Sequence, residues 1–307
     1  MKKVLYLLLG ILALSLYSCT SEDTPPLPRM CQAPTDSSEL LKALKCYNDS
    51  LSMNNNCVSR DFWQTTLRIC TVASADIAGA YELGKIGASI GSVFGPQGAA
   101  GGAAVGGLIG GAGASYGAYC TTESMGSTES TSFTIPAQES VIRALMKLKE
   151  DRIDINLYYP NEIIIDLPTN SIETMAIGAK HNAILDYLSE GNLSSTPLHR
   201  VLNNFEVSIL NSPEFRKAYK EILLSYDLYD YTTFIINDAT VADSVMRLYL
   251  ESFNTSVKKH SDVESISKRY VSEVQKSSEL TSNQKELIYI SVSVAASSYE
   301  RWAHVFK

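Results

Sequence analysis

The sequence lacks the close residue spacings that are typical of metal sites and redox centres. It has six cysteines but no C-x-x-C pair. Zinc sites and thioredoxin-like centres use closely spaced cysteines or histidines. The four histidines are scattered along the chain, at His181, His199, His260 and His304. We therefore expect no metal, no cofactor and no catalytic constellation.

Basic side chains are also scarce, with 26 Lys and Arg against 33 Asp and Glu. Two of the lysines, Lys2 and Lys3, lie in a predicted signal peptide, so the mature chain is more acidic still. An acidic surface is repelled by phosphates, so we expect no nucleic-acid partner. Proline is modest at 10 and tyrosine abundant at 17, which favours a folded body over a disordered stalk.

The N-terminus carries an export signal. A basic start precedes an apolar run over residues 4–16, which is too short to span a bilayer but typical of a secretory signal. Residues 16–19 read Leu-Tyr-Ser-Cys, which resembles the lipobox of bacterial lipoproteins. The resemblance implies that residues 1–18 are removed and that lipid on Cys19 holds the protein to a membrane. The alternative is an ordinary signal cut near Ser18, with Cys19 left as a thiol.

An acidic stretch, Ser21-Glu22-Asp23, follows this cysteine. It resembles the export tag with which Bacteroides-type bacteria send lipoproteins to the cell surface. Residues 19–36 include three prolines within four positions, which predicts a stiff, extended tether. The resemblance implies an outer-membrane lipoprotein that faces the cell surface.

Glycine recurs at steps of four in a stretch, from Ile86 to Thr122, that has no charged residue. The glycines expected to pack helices together are Gly87, Gly91, Gly95, Gly98, Gly102, Gly106 and Gly110. This step gives a helix a smooth face, so that two backbones approach closely. Residues 95–98, Gly-Pro-Gln-Gly, are a turn signal. The pattern predicts antiparallel helices over about 70–95 and 98–119.

The hairpin also predicts a disulfide. Cys70 and Cys120 lie at similar distances from the turn, so at ~1.5 Å per residue they stand at the same height at its open end. A bond between them would clamp that end. Without Cys19 the number of cysteines is odd, and the pairing of Cys31, Cys46 and Cys57 stays open.

Two environments favour so many glycines in helices. In a bilayer, small residues drive helix association, and each arm is near the length of a membrane span. However, Val105, Leu108 and Ile109 are the only large aliphatic residues in the second arm. We therefore favour a soluble or peripheral hairpin over an inserted one. The stretch resembles the glycine zippers of membrane-active bacteriocins and envelope proteins, a likeness of composition that implies no particular activity.

The rest of the chain is predicted to be helical. Residues 121–136, rich in Ser, Thr and Glu, indicate a linker to a domain over 137–307. Caps and apolar periods there predict about six or seven helices, one of them over 172–189. The segment 153–167 predicts a short β-hairpin or, as we prefer, an extended segment laid on the helices. The expected fold is all-α: the Gly-rich hairpin within residues 37–120, followed by a helical bundle.

Several local patterns bear on catalysis or on caps. Two G-x-S-x-G matches, at 87–91 and 113–117, lack the strand that a nucleophile elbow needs. His181 shares an apolar face with neighbouring isoleucines, which predicts a hydrogen-bonded core histidine and not a metal ligand. Capping boxes are predicted at 261–264 and 281–284.

The hairpin, residues 178–182 (Gly-Ala-Lys-His-Asn) and the Tyr-x-x-Trp ending resemble lipoproteins of unassigned activity from Bacteroides-type bacteria. This likeness implies location only. We expect a non-enzymatic helical binding module, displayed on a lipidated tether, that binds a protein partner. The alternatives are a membrane-active protein that inserts its hairpin into a target bilayer, and an envelope hydrolase.

Overall fold

The computed structural model describes residues 38–53, 60–124, 165–169, 177–190 and 239–306, with a few single positions between 208 and 236. Every regular element in these residues is a helix, which confirms the all-α prediction. The helices are α1 (Glu39–Met53), α2 (Arg60–Gly91), α3 (Gly95–Ser124), α4 (Ile177–Glu190), α5 (Val241–Ser256), α6 (His260–Lys276) and α7 (Ser282–Val305). A 3-10 turn at Ser92–Phe94 joins α2 to α3.

The predicted antiparallel hairpin is present, with longer arms than the sequence indicates. The first arm, predicted to begin at about residue 70, belongs to a helix, α2, that begins at Arg60 and has 32 residues. The second arm, α3, has 30 residues and ends at Ser124, so residues 121–124 continue the helix and do not begin a linker. No glycine or proline interrupts the chain between Cys120 and Ser124, so nothing there stops the helix.

The last helix packs along the hairpin. Leu287 of α7 lies against Gly84 of α2, and Ile290 lies against Gly107 of α3. Further along α7, Val294 lies near Gly111 of α3 and Ser298 bonds to Asp76 of α2, so α7 runs antiparallel to α2 and parallel to α3. The described helices from α1 to α7 belong to one compact unit. Within it, glycines on a second face of the hairpin leave a groove that α7 fills.

Helices α1, α5 and α6 form a second layer held by aromatic side chains. The Tyr270 ring of α6 contacts Tyr47 of α1 and Tyr249 of α5, at centroid distances of 6.4 and 5.0 Å. Both contacts are edge-on, the arrangement that aromatic quadrupoles favour. The Tyr270 hydroxyl donates to Asn48 Oδ1 at 3.0 Å. The Tyr249 hydroxyl pairs with the Ser267 hydroxyl at 2.8 Å, so the hydroxyls of these two buried tyrosines are both satisfied.

The helix starts confirm one predicted cap and correct another. Thr281 and Gln284 form the expected capping box of α7, with each side chain accepting from the other residue's backbone N–H. The box predicted at 261–264 is wrong, because α6 begins at His260, two residues earlier than that box implies, and Asp262 accepts from the backbone N–H of Lys258 and Lys259. The charged carboxylate of Asp262 is a stronger hydrogen-bond acceptor than the Ser261 hydroxyl on which the predicted box depends.

The remaining predictions fall mostly outside these residues. Residues 153–164 and most of residues 191–238 lie outside the described part, and the single described positions Pro213, Glu214 and Lys217 are helical. Residues 165–169 are described and are not helical. There Leu167 is buried and Thr169 donates to the Glu286 carboxylate of α7 at 2.7 Å.

Candidate functional site

The glycines of the hairpin bring the backbones of α2 and α3 into direct contact. A Cβ added to Gly87 would overlap the carbonyl of Gly102, lying 2.7 Å from its carbon. A Cβ on Gly102 would overlap the carbonyl of Gly87 in the same way. The same overlap with the opposite arm occurs at Gly79, Gly91, Gly98, Gly106 and Gly110. The packing role predicted for the glycines at 87, 91, 98, 102, 106 and 110 is therefore confirmed.

Gly95 does not belong to this contact, although the four-residue step includes it. Its φ is +84°, and nothing lies within 4 Å of where its Cβ would be. It is the turn residue at which the chain reverses, in a conformation that glycine adopts without strain. The prediction that Gly95 packs helices was wrong, because the step is broken where one helix ends and the next begins.

Towards the open end of the hairpin, a second glycine face leads to a buried polar cluster. A Cβ on Gly111 of α3 would lie 3.2 Å from His181 Cδ2 and 3.2 Å from Val294 Cγ1. A Cβ on Gly178 of α4 would meet the Ser297 side chain of α7, with the Ser297 Cβ 3.0 Å away. The absence of side chains at these two glycines lets α3, α4 and α7 converge.

The centre of this cluster is the carboxylate of Asp76, which is fully buried in α2. Its Oδ1 lies 2.9 Å from His181 Nε2 of α4. Its Oδ2 accepts from the Ser298 hydroxyl and, at 3.4 Å, from Trp302 Nε1, both in α7. A buried charge is stable only when it is paired and hydrogen-bonded. Two helices, α4 and α7, meet those needs for this one side chain of α2.

Hydrogen-bond directions assign protons to His181. Asn182 Nδ2 donates to the Ser297 carbonyl at 3.0 Å, which turns Asn182 Oδ1 towards His181 Nδ1 at 3.2 Å. Because that oxygen can only accept, Nδ1 carries a hydrogen. Between Nε2 and the Asp76 carboxylate a second proton is held. Asp76 and His181 are therefore a net-neutral buried pair.

The cluster contains Ser, His and Asp but is not arranged for nucleophilic catalysis. A catalytic serine hands its proton to the histidine, whereas Ser298 donates to the carboxylate of Asp76. Asp76, His181 and Ser298 each have 0% relative exposure, so no substrate reaches them. The cluster is a structural joint, and the prediction that His181 is a hydrogen-bonded core histidine is confirmed.

Sequence reasoning missed Asp76, and one signal in the sequence points to it. It is the only charged residue between Arg68 and Glu82, within a helix of small and apolar residues. A lone charge on a buried stretch needs a partner elsewhere in the chain. The identity of that partner, 105 residues away, is not visible in any local pattern.

Cys70 is a free thiol, so the Cys70–Cys120 disulfide is not formed in this structure. Its Sγ points to the carbonyl of Val257 at 3.9 Å, and burial raises the pKa of the thiol to about 12. The side chain of Cys120 lies outside the described residues, as do Cys19, Cys31, Cys57 and the tag Ser21-Glu22-Asp23.

A second polar group lies at the edge of the layers, where α5 begins. The Asp243 carboxylate accepts from Lys85 Nζ at 3.1 Å, from the Tyr81 hydroxyl at 3.0 Å and from Thr240 Oγ1 at 2.7 Å. Burial alone would raise the pKa of Asp243, but these hydrogen bonds and the Lys85 charge outweigh it and lower the pKa. This group ties α5 to the middle of α2.

His260, Glu300 and His304 also come together, with a ring nitrogen of each histidine beside the Glu300 carboxylate. Within the described ranges, no group of His, Cys, Asp and Glu has the arrangement of a metal site. In the same part of the chain, no helix has both the length and the apolar character that a membrane crossing requires. No family model, curated protein or solved structure matches this chain.

Proposed function

We propose that the protein is a surface lipoprotein of the outer membrane, anchored through Cys19, whose helical body binds a protein partner and has no catalytic activity of its own. The observation that carries this proposal is the use of the glycine hairpin inside the fold. One glycine face joins α2 to α3, and the other receives α7 at Gly84 and Gly107. A hairpin engaged on both faces is a scaffold for the body.

The polar groups support the same proposal. The most chemically capable side chains, Asp76, His181 and Ser298, are buried and bonded to one another. Groups used in this way hold helices together and are withdrawn from reaction with a substrate. The function then lies on the outer surfaces, as expected of a displayed binding module.

The experiment tests whether membrane anchoring depends on Cys19. Wild-type protein and Cys19→Ala are expressed in a Bacteroides-type host, and each is partitioned between detergent and aqueous phases. We expect the wild type in the detergent phase, the variant in the aqueous phase, and removal of wild-type protein when intact cells are treated with protease. Detergent partition of both proteins, or full protection from protease on intact cells, would contradict the proposal.

The second candidate function is membrane activity, and the observation that favours it is the uncharged stretch from Ile86 to Thr122. Insertion of the hairpin would require α7 to leave the groove at Gly84 and Gly107. The variant Gly102→Leu does not test this, because any Cβ there overlaps Gly87 and damages the fold itself. A disulfide between Gly107→Cys and Ile290→Cys is the better probe, since these positions are in contact.

In a dye-release assay on vesicles, this double variant is compared before and after reduction. Leakage that appears only after reduction would favour the membrane-active function. Under the binding-module proposal neither form releases dye, and wild-type protein with and without reductant is the control.

A further inference from the structure

The tip of the hairpin exposes two apolar side chains next to each other. Val93 is 82% exposed and Phe94 is 64% exposed, and both lie in the 3-10 turn between α2 and α3. The neighbouring Ser92, Pro96 and Gln97 are exposed as well. No charged residue lies on either arm from Ile86 to Thr122, so the tip has no charge of its own. Adjacent exposed apolar side chains on a projecting turn are typical of a contact surface.

The orientation of α7 shows which part of the body surrounds this tip. Ile290 lies against Gly107 of α3 and, further along α7, Val294 lies near Gly111. Because α7 runs parallel to α3, its first turn at Ser282 lies near the level at which α3 leaves the turn. The beginning of α7 and the hairpin tip are therefore at the same end of the body.

The tether joins the body at this end too. Glu279, three residues before α7, accepts the backbone N–H of Leu40 in the first turn of α1 at 3.0 Å. This contact places the start of α1, and with it the point where residues 19–37 attach, beside the start of α7. A chain held through Cys19 is thus held at the end from which Val93 and Phe94 project.

We propose that the Val93–Phe94 tip enters the interfacial layer of the bilayer to which the protein is anchored. The proposal rests on the lipid anchor for the identity of that bilayer. The tip itself attracts lipid through apolar side chains, so its affinity should depend little on salt and need no anionic lipid. The acidic body adds no electrostatic attraction to such a membrane. Contact at the tip would set the body upright on its tether, with the far end presented outward.

The experiment separates the tip from the anchor. The chain from residue 19 onward carries Cys19→Ala, so that no lipid is attached, and is sedimented with phosphatidylcholine–phosphatidylethanolamine vesicles. It is compared with the same chain carrying Val93→Ser and Phe94→Ser. The matched control is Leu67→Ser, because Leu67 is 51% exposed on α2 and lies roughly 40 Å from the tip along that helix.

We expect vesicle binding by the parent chain that is insensitive to salt, a fall of about tenfold or more in the tip variant, and no change in Leu67→Ser. Equal binding by the parent chain and the tip variant, or no binding by the parent chain, would overturn the proposal. The latter result would also be expected if the tip bound a protein instead. Because the anchor is absent from every sample, failure of lipidation at Cys19 leaves this readout unchanged.

A spectroscopic variant gives an independent reading. Phe94→Trp keeps an aromatic ring at the tip, and its fluorescence should shift to the blue and be quenched by brominated lipid on addition of vesicles. The parent chain, which contains Trp63 and Trp302, is the control for the background. Unchanged emission from the Phe94→Trp chain with vesicles present would contradict the proposed entry of the tip.

Discussion

Helix α2 makes two contacts of opposite character along its length. At Gly79, Gly87 and Gly91 it meets the backbone carbonyls of α3, with no ionisable group among these contacts. At Asp76 it meets α4 and α7 through a carboxylate that accepts from His181, Ser298 and Trp302. The first contact fails when an atom is added, and the second fails when a partner is removed.

These two contacts hold α2 on two sides, each by a different kind of interaction. The glycine contact depends on shape and dispersion, which makes it dry and insensitive to pH. The Asp76 joint is selective, because only donors in the right positions satisfy its carboxylate. Together they fix the distance between α2 and α3 and the positions of α4 and α7 against the pair.

The largest effect is expected from breaking the polar joint. Asp76→Ala leaves the His181 proton and two other donors without an acceptor, and loss of one member of a buried pair costs about 3–5 kcal/mol. Urea unfolding at pH 7 measures the change. The control is Ser115→Ala, which removes a buried hydroxyl that has no hydrogen-bond partner among the described residues. That change should be neutral or stabilising. Equal stabilities of the two variants would contradict the role given to Asp76.

The glycine contact should be the next most sensitive. In Gly87→Ala the new methyl overlaps the Gly102 carbonyl, so the two backbones must separate, and we expect a loss of about 2 kcal/mol. Gly84→Ala is the matched control on the same helix. There the added Cβ meets Leu287 Cδ2 at 2.9 Å, the end of a flexible side chain. Alanine's helix propensity, worth about 1 kcal/mol, should offset that strain. Similar unfolding midpoints for the two variants would disprove backbone contact at Gly87.

A smaller, pH-dependent effect should distinguish the attachment of α5. The folded pKa of Asp243 is lowered, so its contribution is present above the unfolded pKa of about 3.9 and is lost as pH falls through the folded value. Asp243→Asn should cost about 1–2 kcal/mol at pH 7, and the difference from wild type should shrink below about pH 4. The cost of Gly87→Ala should stay constant over the same range. A constant cost for Asp243→Asn would argue against the ion pair with Lys85.

Much of the helical framework can be predicted from the sequence because its causes are local. The glycine step and the Gly-Pro-Gln-Gly turn indicate an antiparallel pair, and the Thr281–Gln284 box marks the start of α7. The cap of α6 is misplaced by two residues, since Ser261 is a good capping side chain by local pattern whereas the structure places the cap at Lys259, whose backbone N–H donates to Asp262. The end of α3 is also missed, because polar composition resembles a linker.

The sequence by itself determined that the chain is helical, that two arms pack through glycine, and that His181 belongs to a core. Tertiary structure alone decided that α7 fills the second face of the hairpin and that Asp76, His181 and Ser298 meet. The physical reason is the separation in sequence over which each interaction acts. Helix periods, caps and turns act over a few residues, whereas the bond from Ser298 to Asp76 spans 222 positions and depends on how three helices pack.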